Sequence, residues 1–138
     1  PYNDPWSVNV VQDWSLRLYE ELGVEIISLA DTVGVAKERD ISILFSSLSD
    51  KLKAVEIGAH LHTSPNNWKS KVDAAYESGC RRFDSAVKGY GGCPMAKDEL
   101  VGNLPTERLI DYLRSKNDVD LDQEAFDVAF STASQTFP

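Results

Sequence analysis

Cysteine, methionine and histidine are scarce in this chain: of 138 residues, two are Cys, one is Met and two are His. Cys80 and Cys93 sit in different surroundings without Cys-x-x-Cys spacing, so neither a disulfide framework nor a cysteine-built zinc site is expected. Basic charge is also in the minority. Fourteen Lys and Arg against 22 Asp and Glu give a formal charge of −8, and no basic run exceeds the pair Arg81-Arg82. That leaves no footprint for a phosphate backbone, and no nucleic-acid partner is expected. Long apolar runs are absent as well. Val24–Ala30 is among the longest and falls far short of the roughly 20 residues that cross a bilayer. The first residues show no basic segment followed by an apolar one, so no membrane partner is expected and a cytoplasmic location follows by default. At 42% hydrophobic and 26% charged, the composition is that of an ordinary globular protein with one core.

What is present is an alternation of strand and helix signals. Val10, Val11, Trp14, Leu18 and Leu22 recur at helical spacing between Ser7, a candidate N-cap, and Gly23, a stop. The β-branched run Val24–Ala30 reads as a buried strand that opens into Asp31-Thr32-Val33-Gly34. A second unit follows: a helical stripe at Ile41, Leu44, Phe45, Leu48 and Leu52, a strand over Val55–His62, and a helix start at Ser64-Pro65. Trp68, Val72, Ala75 and Tyr76 mark a third helix ending at Gly79, and Arg82–Val87 a third strand running into Lys88-Gly89-Tyr90-Gly91-Gly92. Helices over Pro105–Arg114 and about Leu121–Thr132 complete the chain. This pattern predicts an α/β fold with a parallel sheet, either a doubly wound sheet or part of a (βα)8 barrel of about three βα units plus C-terminal helices.

Few residues carry chemistry. His60 and His62 lie two apart at the end of the second strand, so both rings face the same side. Such a pair suits a transition metal and equally suits two hydrogen-bonded core residues. Asp31 ends the preceding strand, where its carboxylate can accept a proton or shape an Asx-turn. Cys93, after the glycines and before Pro94, presents a thiol on a loop whose backbone can approach a ligand closely, whereas Cys80 reads as buried packing. Asn103 and Glu107 straddle a helix start. An amide oxygen can ligate a hard cation, yet Asn is also a frequent N-cap, and Glu in a first turn favours the helix dipole.

Taken in order, Ile27–Gly34, His60-Leu61-His62, Phe83–Pro94 with its Gly-Gly-Cys-Pro loop, and Gly102–Glu107 resemble the second half of the 3-hydroxy-3-methylglutaryl-CoA lyase family, metal-dependent (βα)8 carbon–carbon lyases. The resemblance runs to about Leu113. It implies His60, His62 and Asn103 as ligands of a divalent cation, Mg²⁺ or Mn²⁺. It implies catalytic roles for Cys93, Asp31, His60 and Glu107, and an acyl-CoA substrate cleaved to acetyl-CoA and acetoacetate. Thr63, Lys88, Tyr90 and Met95 depart from the family's commonest residues. On this reading, residues 1–138 are the C-terminal portion of one barrel domain whose N-terminal half is absent, and with it an Arg-Asp pair whose Asp completes the metal shell. Two alternatives stand beside it: a Claisen-type isopropylmalate or citramalate synthase on the same barrel, and a non-catalytic fragment or interaction module. The isolated chain is expected to self-associate or to need the missing half-barrel.

Overall fold

The computed structural model describes residues 5–92 and 101–137. Helix α1 spans Val8–Leu22; Ser7 caps it by accepting the Val10 amide at 3.2 Å, and Gly23 ends it in the left-handed region at φ 67°. Both termini are the ones that Ser and Gly dictate. Strand β1 (Ile26–Asp31), helix α2 (Glu38–Lys51), strand β2 (Glu56–Thr63), helix α3 (Trp68–Glu77) and strand β3 (Arg82–Asp84) follow. The three strands are parallel in the order β1-β2-β3, with Ala30 opposite His60 and His60 opposite Asp84.

The side-chain period of two divides β2 cleanly. Ile57, Ala59 and Leu61 are buried and join Phe45 and Leu48 of α2 and Val72 and Ala75 of α3 in one core. Glu56 and His60 lie on the other side, and there the sheet is open: Ile26 is 51% exposed while its neighbour Ile27 is 8% exposed. Both faces of β1 therefore carry apolar residues, and only one of them is covered among the described residues.

Three elements differ from the sequence reading. Helix α3 begins at Trp68 rather than at Ser64-Pro65, because Asn67 Oδ1 takes the Ser64 amide at 2.7 Å and holds residues 64–67 in a turn. Strand β3 stops at Asp84 instead of reaching Val87. Ala86 bridges to Pro105, and the chain enters a single 3₁₀ turn at Val87–Gly89. A fourth short strand, β4 (Gly102–Asn103), pairs antiparallel with the end of β2, where the sequence had suggested a helix cap. Helix α4 (Thr106–Ser115) starts only after it, and α5 (Gln123–Thr136) is capped by Asp122, which accepts from Ala125 at 3.0 Å. No helix among the described residues is long and apolar enough to cross a membrane.

Candidate functional site at the end of strand β2

The two imidazoles stand side by side, with ring centroids 5.2 Å apart and planes inclined by 66°. Each has its Nδ1 facing an acceptor. His62 Nδ1 lies 3.1 Å from the Asp31 carbonyl oxygen, and His60 Nδ1 lies 3.4 Å from Asp84 Oδ2. A carbonyl can only accept, so His62 carries its proton on Nδ1 and its lone pair on Nε2. Burial, followed by the neighbouring His60, holds the His62 pKa below the ordinary histidine value, which keeps the ring neutral.

Asn103 is brought into register with His62 across the β2–β4 pair. Its Nδ2 donates to the Tyr90 carbonyl at 2.8 Å, which turns the amide oxygen to the other side. The glycine loop packs directly on this residue. A Cβ at Gly91, where φ is +82°, would stand 2.9 Å from Asn103 Nδ2, and one at Gly89 would stand 2.9 Å from the Asn103 carbonyl oxygen. Glycine is required at both by close approach as well as by backbone conformation. Lys88 takes φ 56° without being glycine, and its amide donates to Glu107 Oε2 at 2.9 Å. Glu107 thus pins the loop from the first turn of α4.

Asp31 does not converge with the histidines. Its carboxylate turns to the helix side of the sheet, where Oδ1 accepts the amides of Val35 at 2.9 Å and Ala36 at 3.1 Å, and Oδ2 meets Lys71 Nζ at 2.6 Å. This is the loop-forming arrangement that an Asp before a turn offers. Cys93 lies outside the described residues. Cys80 is buried, donates to the Arg82 carbonyl at 3.1 Å, and has its pKa pushed up to about 11 by burial.

Three participants escaped the sequence reading: Asp84, Ser28 and Lys71. Ser28 donates to Asp84 Oδ2 at 2.9 Å, so this carboxylate gathers a hydroxyl and an imidazole on the open face. Period-two reading of Arg82-Phe83-Asp84 against His60 would have found Asp84. Lys71 had its own signal, falling between Trp68, Val72 and Ala75 on the buried stripe of α3. Among the described residues, no three His, Cys, Asp or Glu side chains are grouped to hold a metal ion. The donor set on offer is the imidazole pair with the Asn103 amide. Imidazole nitrogens and an amide oxygen are donors that fit a divalent cation.

The HMGL-like family model matches residues 11–132. The chain belongs to that family. It is 37% identical over 109 residues to the (R)-citramalyl-CoA lyase of Chloroflexus aurantiacus, covering 79% of this chain and 33% of that protein. To the hydroxymethylglutaryl-CoA lyase of Pseudomonas mevalonii it is 34% identical over 110 residues, covering 80% of this chain and 36% of the relative. It therefore spans about a third of the length of these relatives. The structure of an HMG-CoA lyase from Acinetobacter baumannii, in complex with coenzyme A and 3-methylmalate, superposes with a TM-score of 0.78 at 31% identity, over 99% of this chain and 44% of that one. The sheet and its helices thus match part of a (βα)8 barrel. The similarity to lyases supports lyase chemistry for the family to which the chain belongs.

Proposed function

We propose that this chain forms the metal-binding and proton-transfer side of a carbon–carbon lyase that cleaves 3-hydroxy-3-methylglutaryl-CoA to acetyl-CoA and acetoacetate. The observation that carries the reading is the pair His60 and His62, side by side at the end of β2 with Asn103 in register beside them. His60, His62 and Asn103 would hold Mg²⁺ or Mn²⁺. When bound, the cation supplies charge that polarises the substrate's hydroxyl and carboxyl oxygens.

The chain's own residues prepare the rest. The Asp31 carbonyl accepts the Nδ1 proton of His62, and Asp84 Oδ2 lies 3.4 Å from Nδ1 of His60, so Nε2 of each ring would be the atom offered to the cation. The reaction then needs two proton movements: the hydroxyl proton leaves as the carbon–carbon bond breaks, and a proton returns to the enolate carbon of the departing acetyl thioester. Asp84, 3.4 Å from His60 on the open face, is proposed for the first. Cys93, which follows the glycines in the sequence, is proposed for the second on the strength of the family resemblance. Asp31 acts indirectly, by shaping the loop after β1. The substrate is an acyl-CoA, and the barrel is completed by a further half-barrel or a second copy of the chain.

A second substrate is favoured by one observation, the 37% identity to a citramalyl-CoA lyase. The decisive test joins the chain to an N-terminal half-barrel and follows acetyl-CoA release from 3-hydroxy-3-methylglutaryl-CoA and from citramalyl-CoA under saturating Mn²⁺. The first substrate is expected to react and to be lost with His62→Ala, and Cys93→Ser should lower turnover far more than substrate binding. Turnover of citramalyl-CoA alone would replace the substrate, and turnover of neither would remove the proposal.

A further inference from the structure

Lys71 is 2% exposed, on the face of α3 that also buries Val72 and Ala75. An ammonium in such a place has to find partners for all three of its N–H groups. It does so with three oxygens: Asp31 Oδ2 at 2.6 Å, the Gly34 carbonyl at 3.0 Å and the His62 carbonyl at 3.1 Å. No two of these acceptors serve the same purpose. One is the side chain of Asp31, whose main-chain carbonyl receives the His62 ring proton. The second belongs to the turn after β1, which Asp31 itself closes through Val35 and Ala36. The third is the main chain of His62. The ammonium therefore grips the contact between His62 and Asp31 from both ends, holding the residue that donates and the residue that accepts.

We propose that Lys71 is a positioning residue that fixes the Nδ1–H tautomer and the ring orientation of His62, so that Nε2 is presented at the open end of the sheet. This rests on the reading of His62 as a metal ligand, and assigns the selection of its ligating atom to a side chain on the far side of the sheet. The mechanism is geometric. The bond from His62 Nδ1 holds only while the Asp31 carbonyl stays where the turn puts it, and the turn stays only while Asp31 and Gly34 are tied to α3. Without the ammonium, Asp31 Oδ2 and the two carbonyls lose a buried donor at once, and the end of β1 can move relative to β2.

The test uses the full 138-residue chain, histidine-labelled with ¹⁵N, at pH 8. Ring spectra report the tautomer of each histidine, and calorimetry with Mn²⁺ alone reports affinity. In the parent chain, His62 should show a single Nδ1–H form. Lys71→Met should convert it to a mixture of tautomers and weaken Mn²⁺ binding by about 10- to 100-fold, the usual effect of losing an outer partner of a ligand. Lys71→Gln, which keeps an N–H donor without the charge, should recover part of the tautomer bias. Should Lys71→Met fail to fold, Asp31→Asn provides the same reading, since it weakens the grip while keeping an acceptor for the turn. A His62 that keeps its Nδ1–H form in all the folded variants overturns the proposal, even if those variants melt earlier. A tautomer change in a chain whose parent form binds no Mn²⁺, either alone or joined to an N-terminal half-barrel, sustains the positioning role and removes the metal reading instead.

Discussion

His60 Nδ1 and Asp84 Oδ2 lie 3.4 Å apart across the paired strands β2 and β3, and the same carboxylate oxygen also accepts the hydroxyl of Ser28 from β1. One acidic side chain thus lies against an imidazole of β2 and ties β3 to β1 on the open face. Asp84→Asn replaces a charged acceptor by an amide that presents either O or N–H. Mn²⁺ affinity should fall about tenfold or more. Because the pair is some 40% exposed, the melting temperature should change little. Calorimetric titration together with a thermal melt of the same variant checks both.

Stability should depend on pH through His62. Its pKa is lowered in the folded chain, chiefly by burial, so the unfolded chain binds the proton more readily. The contribution of the neutral ring is complete above the unfolded value of about 6.5 and is lost as pH falls through the lower folded value. Urea midpoints should be flat between pH 7 and 8 and decline below about pH 6. In His62→Gln this part of the decline should vanish; an unchanged slope would assign it to other groups.

Cys80 should be inert to alkylation at pH 8. Its thiol is buried and its pKa stands at about 11, so the thiolate that would react is rare and shielded. Peptide mapping after iodoacetamide should find residue 80 unmodified in the folded chain and modified in urea. Rapid labelling without denaturant would show that the core opens at the junction of α3 and β3.

Gly91→Ala should act on Asn103. A methyl group there would sit 2.9 Å from the amide nitrogen at a φ of +82°, so the loop or the amide has to move. A loss of about 1–3 kcal/mol is expected from backbone strain. The bond from Asn103 Nδ2 to Tyr90 should weaken with it, which the Asn103 side-chain amide resonances in an NMR spectrum would report.

The open face of the sheet predicts association. Ile26 is 51% exposed on that face, and the edge of β1 away from β2 has no strand beside it among the described residues. Light scattering of the chain alone should show dimers or larger species at micromolar concentration. A compact monomer with a sharp melt would show that this face is tolerated in water.

The periodic elements were legible because their signals are local. Ser7 and Gly23 mark the ends of α1 through hydrogen bonds within one helical turn, and His60-Leu61-His62 announces its shared face by spacing alone. The elements that escaped depend on distant partners. Nothing in Gly102-Asn103 says strand until the end of β2 lies alongside it, and nothing in Arg82–Val87 ends the strand early until Ala86 meets Pro105. Asp31 shows the same limit at the site. Its place at a strand end was visible, but the direction of its carboxylate is decided by Lys71, 40 residues away in sequence.

The alternation along β2 carries a consequence for folding fidelity. A pairing slip of one residue between β1 and β2 would exchange the two faces of the strand, placing the imidazoles among the apolar side chains of α2 and α3 and turning Ile57 and Leu61 to water. Each of those two side chains contributes about 1.5–3 kcal/mol by its burial, and the uncompensated polar rings would add a penalty of the same order. The mis-registered chain would therefore be selected against by packing alone, before any ligand is present. The hydrophobic residues that never touch the chemistry thus act as its proof-readers: a chain that has sorted Ile57, Ala59 and Leu61 correctly has also aimed His60 and His62.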